Sequence, residues 1–332
     1  MKILVTGGAG FIGSRFLNYI VPLQREIDFV VLDSLTYASD ITRLSSQVRN
    51  EVPLEVVDIT DFTAVRAVFR RHQPTDVINF AAETHVDNSI ESPKTFLDTN
   101  IWGTFNLLNA CREYWREGEG RFHQISTDEV YGSVAEPTLS VEDDFHHPSS
   151  PYSASKSAGE GLVVAFQATY GVNTVISRSA NNYAPAQHAE KFIPKMCNRA
   201  CAGDPRKPLT LYGDGLDVRD FIHVDDHCSA IWKVFQDGRS GQSYNIPGNN
   251  PRTNIEVLEK IITLVAEMTD RSRAELRELI VHTPDRAGHD RRYAMSGARM
   301  KSELGWEPTH DFDKGLREVV SSHVRHPPEI VT

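Results

Sequence analysis

Ser126-Thr127-Asp128-Glu129-Val130-Tyr131-Gly132 closes an apolar run and sets a hydroxyl beside two adjacent carboxylates, the residue types that general acid–base chemistry draws on. Downstream, Pro151-Tyr152-Ser153-Ala154-Ser155-Lys156 spaces a phenol and an ammonium so that a helix would put both on one face. Each pair alone has a plainer reading. Asp128-Glu129 could be solvated turn residues, and Tyr152 a core aromatic beside a solvated Lys156. Adjacent strand residues also point to opposite faces, so the two carboxylates reach one substrate only if the backbone turns there.

Placing these groups together requires a rigid edge. Ile3-Leu4-Val5 is a short apolar run, followed by Thr6-Gly7-Gly8-Ala9-Gly10-Phe11-Ile12-Gly13 and the apolar-periodic segment Phe16 to Val21, so the pattern predicts strand, turn and helix. Gly7, Gly10 and Gly13 suit the tight turn, close phosphate approach and close helix packing of a dinucleotide site. A second apolar run, Phe29-Val30-Val31-Leu32, ends in Asp33, ~20 residues after Gly13, where an acid accepts hydrogen bonds from an adenosine ribose. An acid there repels the 2′-phosphate of NADP, so the implied cofactor is NAD.

Leu54 to Asp58, Val77 to Ala82, Phe122 to Thr127 and Thr174 to Ser177 read as further strands, with helical segments over Phe62 to Phe69, Ser92 to Trp115 and Pro151 to Tyr170 between them. The alternation implies an α/β, Rossmann-like, doubly wound parallel sheet, with Asp58-Ile59 at a strand's carboxyl end. Ser150 as N-cap and Pro151 in the first turn bring Tyr152 to the sheet's carboxyl edge. Beyond Ser179 loops dominate. The chain therefore divides into an NAD-binding domain over 1–178 and a smaller, partly interleaved C-terminal substrate domain over 179–332, with strands near 220–224 and 243–246 returning to the first. Thr253-Asn254-Ile255-Glu256 opens a helix as a capping box. The donors between Thr283 and Tyr293 fit either a diphosphate site or a solvated charged loop.

The 332 residues, 40% of them apolar, are enough to bury a large core. A formal net charge of −10 argues against a nucleic-acid partner. The first strand starts at once and no apolar run is long enough to span a bilayer, which predicts a cytoplasmic protein with no membrane partner. Cys111, Cys197, Cys201 and Cys228 suit neither a disulfide framework nor a zinc site, so no metal is expected.

Gly7-x-x-Gly10-x-x-Gly13, Tyr152-x-x-x-Lys156 and Thr127-Asp128-Glu129 together resemble the extended short-chain dehydrogenase/reductase family and, within it, the dTDP-glucose 4,6-dehydratases. The likeness runs from Leu32-Asp33-Ser34-Leu35-Thr36-Tyr37-Ala38 through Ala81-Ala82-Glu83-Thr84-His85-Val86-Asp87 to Asp285-Arg286-Ala287-Gly288-His289-Asp290-Arg291-Arg292-Tyr293. It implies catalytic roles for Thr127, Asp128, Glu129, Tyr152 and Lys156. Cofactor contacts are implied at Phe11 and Ile12 beside the glycines, at Asp33, Ser34, Leu35 and Thr36, at Asp58 and Ile59, and at Ala81, Ala82 and Thr99. Substrate contacts are implied at Thr84, Asn181, Glu190 and Lys191, along Lys207, Leu209, Tyr212, Arg219 and Asn254, and at Asp285, Arg286 and His289. A homodimer joined through Ser92–Trp115 and Pro151–Tyr170 is also implied. The sequence departs from the family pattern at Asn79 (usually His), Thr84 (Ser), Asn88 (Arg), Ala184 and Ala186 (Gly and an aromatic), Asp217 (Asn) and Pro247 (Gly). None of these removes a group that handles protons or hydride.

The implied reaction oxidises a hexose at C4, eliminates water across C5 and C6, and returns hydride to C6, feeding deoxysugar biosynthesis. Oxidation makes the C5 proton acidic. Tyr152, its phenolate favoured by Lys156 and the nicotinamide charge, takes the C4 hydroxyl proton; Glu129 takes the C5 proton; Asp128, kept protonated by its carboxylate neighbour, donates to the leaving oxygen. Rival readings are a UDP-sugar 4,6-dehydratase, a sugar-nucleotide epimerase or decarboxylase, against which the Asp128-Glu129 doublet speaks, and a non-catalytic NAD-binding regulator.

Overall fold

A computed structural model describes residues 1–116 and 119–326, so the last residues of the expected second domain lie outside it. In chain order the strands are β1 (Lys2–Thr6), β2 (Asp28–Asp33), β3 (Leu54–Val56), β4 (Asp76–Asn79), β5 (Phe122–Thr127), β6 (Thr174–Ser179), β7 (Asn181–Tyr183), β8 (Leu209–Tyr212), β9 (Val218–His223), β10 (Ser243–Ile246), β11 (Pro251–Thr253) and β12 (Ile280–Thr283). One seven-stranded sheet has the order β10-β6-β5-β4-β1-β2-β3, and its pairings are all parallel. This is the doubly wound arrangement, whose strand order reverses at β1 and β4 and leaves a crevice at the carboxyl ends.

The run Ile3-Leu4-Val5 shows why the strands lack alternation. Ile3 and Val5 pack with Phe16, Phe29 and Trp232 on one face, while Leu4 packs with Val65, Val77 and Leu107 on the other. Helices cover both faces here, so each residue of this run is buried whichever way it points. Fully burying one such aliphatic side chain contributes roughly 1.5–3 kcal/mol.

The structure departs from the sequence reading in three places. Beyond Ser179 helices rather than loops dominate, among them Phe192–Ala202, Val224–Asp237, Asn254–Met268 and Phe312–Arg325, because the apolar cores need their buried faces. The expected helical segment Ser92–Trp115 is three pieces, Pro93–Leu97, a π-helical turn over Asp98–Gly103 and Thr104–Tyr114. The turn brings the buried Asn100 amide to Ser155 Oγ at 2.8 Å and to the Glu83 carbonyl at 3.0 Å, contacts that no local periodicity signals. Of the two returning strands, β10 joins the large sheet beside β6, but β9 does not. It pairs with β7 and β11 in a separate three-stranded sheet, and the chain rejoins the first layer through the helix Val224–Asp237, whose Trp232 packs near Phe16. A second apolar core lies under β8, with Leu209 and Leu211 against Ile193, Ile261 and Leu316.

Candidate active site

Thr127 ends β5, and its hydroxyl accepts the Glu129 N–H at 3.3 Å, capping a 3₁₀ turn over Asp128–Tyr131. The backbone therefore turns where the sequence required it to, and both Asp128 and Glu129 line one cleft. Ser150 and Pro151 start the helix Pro151–Tyr170 as expected, with Ser150 and Ser153 in a reciprocal cap. Tyr152 and Lys156, one turn apart, face the same cleft. The Tyr152 ring is held against Phe96 and Val86.

The cleft encloses about 1360 Å³ of non-atom space, solvent at its mouth included. Its walls bring together Gly7, Gly10, Phe11, Ile12 and Gly13 with Ala82, Thr84, Thr127, Asp128, Glu129, Tyr152 and Lys156, and with Asn181, Glu190 and Lys191. At the mouth, Lys191 Nζ donates to the Thr84 carbonyl at 3.0 Å and hydroxyl at 3.1 Å.

The glycine turn fits a dinucleotide. Gly7 has φ 65°, and a Cβ there would lie 2.7 Å from Ala81 N; a Cβ on Gly13 would lie 2.3 Å from the Gly7 carbonyl oxygen. Phe11, Ile12 and Gly13 offer the N–H groups that the first turn of a helix leaves without intrahelical acceptors. Asp33 accepts from Ala9 N at 2.9 Å, Leu35 N at 2.8 Å and Ser39 Oγ at 2.7 Å. A carboxylate has about four lone-pair sites, so one remains for a ribose hydroxyl. Leu35 takes the left-handed conformation as Ser34 to Thr36 curl away from β2.

The remaining expected contacts lie around this centre. Asp58 is exposed beyond β3, Thr99 sits half-buried on the π-helical turn, and Ala81 follows β4 against Gly7. Ile59 and Leu209 have buried side chains in apolar cores, so each can offer only main chain, and the Leu209 N–H already donates to the Leu279 carbonyl at 2.9 Å. Lys207 is exposed and Asn254 begins its helix half-buried. Tyr212 OH donates to Asp87 at 3.1 Å, Arg286 lies 3.5 Å from the same carboxylate, and His289 contacts Asp285. Arg219 stacks over the Tyr293 ring at 4.3 Å, and the Tyr293 hydroxyl lies 3.5 Å from Glu129 Oε2. The loop over Asp285–His289 is pinned to the start of the helix Pro151–Tyr170: Gly288, at φ 64°, has no room for a Cβ against the Ser149 carbonyl, and Ser149 donates to Gly288 O and to Asp290.

Electrostatics separate the two carboxylates. Burial pushes Asp128 well above the usual carboxylate range, with the Glu129 charge second and Asp220 third. The neighbouring carboxylate is thus a lesser cause than the sequence suggested. Glu129 is also raised by burial, but Arg286, Arg219 and Lys191 oppose that. Among the described residues no hydrogen bond joins Lys156 to the Tyr152 phenol. Lys156 Nζ donates to the Ile125 carbonyl at 2.8 Å, and burial brings its ammonium down to about 8. Burial, then the charge of Glu129 and, less, that of Asp128, pushes the Tyr152 phenol above its ordinary value.

Sequence reasoning passed over Ser126, whose buried hydroxyl lines the cleft with no partner among the described residues, although its place beside Thr127 was a signal. Asn100 and Tyr293 were also missed, and only packing assigns them.

The chain matches the family profile described as GDP-mannose 4,6 dehydratase over residues 4–319. It is 44% identical to a dTDP-glucose 4,6-dehydratase of Haemophilus influenzae, covering 96% of this chain and 97% of that one. It is 46% identical to one of Xanthomonas campestris pv. campestris, covering 94% and 90%. The fold matches the dTDP-glucose 4,6-dehydratase of Bacillus anthracis str. Ames in complex with NAD, with a TM-score of 0.86 and 39% identity over 98% of this chain and 97% of that one. A UDP-glucose 4-epimerase of Thermotoga maritima has the same TM-score of 0.86 at 27% identity, covering 98% and 99%, so the fold alone does not select the reaction. The profile match and the near-full-length identities do: this chain belongs to the dTDP-glucose 4,6-dehydratase family of extended short-chain dehydrogenases/reductases.

Proposed function

We propose that Tyr152 and Lys156 serve oxidation at C4 of dTDP-glucose and that Asp128 and Glu129 serve elimination across C5 and C6, giving dTDP-4-keto-6-deoxy-glucose and water. The observation that carries this reading is the single cleft shared by the glycine turn, the Tyr152–Lys156 face and the carboxylate doublet. NAD, when bound, supplies a positive charge, a hydride acceptor for C4 and the hydride returned at C6, so the reaction has no net redox change. Gly7, Gly10, Gly13 and Asp33 would hold it. Tyr152, as its phenolate, removes the C4 hydroxyl proton. Glu129, raised by burial and opposed by nearby cations, takes the C5 proton. Asp128, kept protonated by burial, gives its proton to the departing C6 oxygen.

The loop over Asp285–His289, with Arg219 and Lys191, supports a nucleotide diphosphate site. Residues 1–178 with β10 form the cofactor part, and most of the remainder forms the substrate part. No helix among the described residues is long and apolar enough to cross a membrane, in keeping with a cytoplasmic enzyme. Trp102 and Val164, 59% and 54% exposed, lie on the helical segments expected to pair in a homodimer; light scattering at micromolar concentration tests that, and a monomeric mass would sink it. Incubation with dTDP-glucose and, separately, UDP-glucose tests the reaction. The 4-keto product should appear with the first, and its absence with both would overturn the reading.

A further inference from the structure

β1, β4 and β5 carry a row of buried polar side chains across the middle of the sheet. Thr6 and Asn79 are register partners, as are Asn79 and Gln124, while the next strands outward place Leu32 opposite Thr6 and Ile176 opposite Gln124. Asn79 is wholly buried and Gln124 is 3% exposed, so the row would be costly if unpaired. It is paired in one direction. Thr6 Oγ1 donates to Asn79 Oδ1 at 2.5 Å, Asn79 Nδ2 to Gln124 Oε1 at 2.9 Å, and Gln124 Nε2 to the Ile125 carbonyl at 3.2 Å. That carbonyl is the acceptor of the Lys156 ammonium at 2.8 Å.

We propose that Gln124, aimed by Asn79 and Thr6, is a positioning residue for Lys156: it occupies one lone pair of the Ile125 carbonyl, leaves the other to the ammonium, and sets how firmly Lys156 keeps its proton. The aligned dipoles point their positive ends at the shared oxygen. Bonds in such a chain reinforce one another, and a donor on the acceptor makes it a poorer partner for a cation. The other groups around Lys156 stay as they are: Tyr152 and Glu160 on its own helix, Arg178 of β6 bound to Glu160, and Asp128 and Glu129 on the turn after β5. The row also starts beside the cofactor turn, since Thr6 Oγ1 accepts from Ala81 N at 3.3 Å.

The inference rests on Lys156 acting in the oxidation, and the test separates the two claims. Wild-type protein is first assayed with dTDP-glucose; failure to form the 4-keto product would sink the proposed function itself. The pH profile of kcat/KM is then recorded for Gln124→Met, which keeps the length and loses the donor, and for Asn79→Val, which breaks the row one bond further away. The alkaline limb should move to higher pH, by about half a unit or more in Gln124→Met and by less in Asn79→Val. Asn79→His, which offers a ring N–H to Gln124 and a ring nitrogen to Thr6, should restore the wild-type limb. Melting temperatures are read alongside. An unmoved limb in both active variants, or one moved to lower pH, overturns the proposal whatever happens to kcat or stability, and if Gln124→Met does not fold, Asn79→Val against Asn79→His decides alone.

Discussion

The Thr127 hydroxyl stands 3.3 Å from the Glu129 amide nitrogen and accepts its hydrogen, and it donates its own to the Asp128 carboxylate at 3.2 Å. One side chain thus bends the carboxylate doublet into the cleft and holds both of its members.

Thr127→Val keeps the shape and loses both bonds. It should lower kcat by about 10²-fold with a smaller change in KM, while Thr127→Ser retains most activity. Steady-state kinetics check this, and equal rates for the two variants would remove Thr127 from the reaction.

The two pairs of residues should stall at different stages. Tyr152→Phe should suppress every step. Glu129→Gln should still oxidise C4, leaving a 4-keto hexose that has not lost water. Asp128→Asn should permit C5 exchange with deuterated solvent yet slow loss of the C6 oxygen by ~10²-fold. Single turnovers, followed by reduced-cofactor absorbance and mass spectrometry, separate these cases. Dehydration at the normal rate in Glu129→Gln would reduce the doublet to a polar turn.

Burial of Asp128 has a signature in stability. Its folded pKa lies above the unfolded value, so the folded state holds the proton more tightly. The stability this contributes is fully present below about pH 4 and is lost as pH rises towards the folded value. Asp128→Asn cannot ionise. It should melt at a higher temperature than wild type at pH 8, with the gap closing towards pH 4; a gap that ignores pH would contradict the assignment.

Denaturing the purified protein should release NAD rather than NADP. Gly7→Ala should reduce the amount retained several-fold, because the new methyl meets Ala81 N at 2.7 Å in a left-handed backbone. Chromatography of the released nucleotide reads both outcomes, and recovery of mainly NADP would move the specificity away from Asp33.

Local signals carried much of this architecture. β5 and β10 follow the expected boundaries, Thr253 and Glu256 form the expected capping box, and Ser150 starts the helix that carries Tyr152. What stayed hidden depends on partners distant in the chain. Nothing near Asn100 signals that its amide will tie Glu83 to Ser155, so the π-helical turn read as plain helix. β9 has the composition of a returning strand, but pairing with β7 decides its sheet. Asn79 and Gln124 sat inside apolar runs, where their alignment across strands could not be seen. The destination of Lys156 Nζ was equally invisible, since it is a main-chain oxygen.

The pin between Gly288 and Ser149 bears on how this scaffold could be re-engineered. The loop over Asp285–His289 looks like a cassette that could be exchanged to accept another nucleotide, but its turn rests on the residue just before the cap of the Tyr152 helix. A graft that altered the turn would tilt that helix start, so a donor loop would have to arrive together with its own version of 147–150. Selection for a new nucleotide at one end of the cleft would otherwise be paid for in turnover at the other.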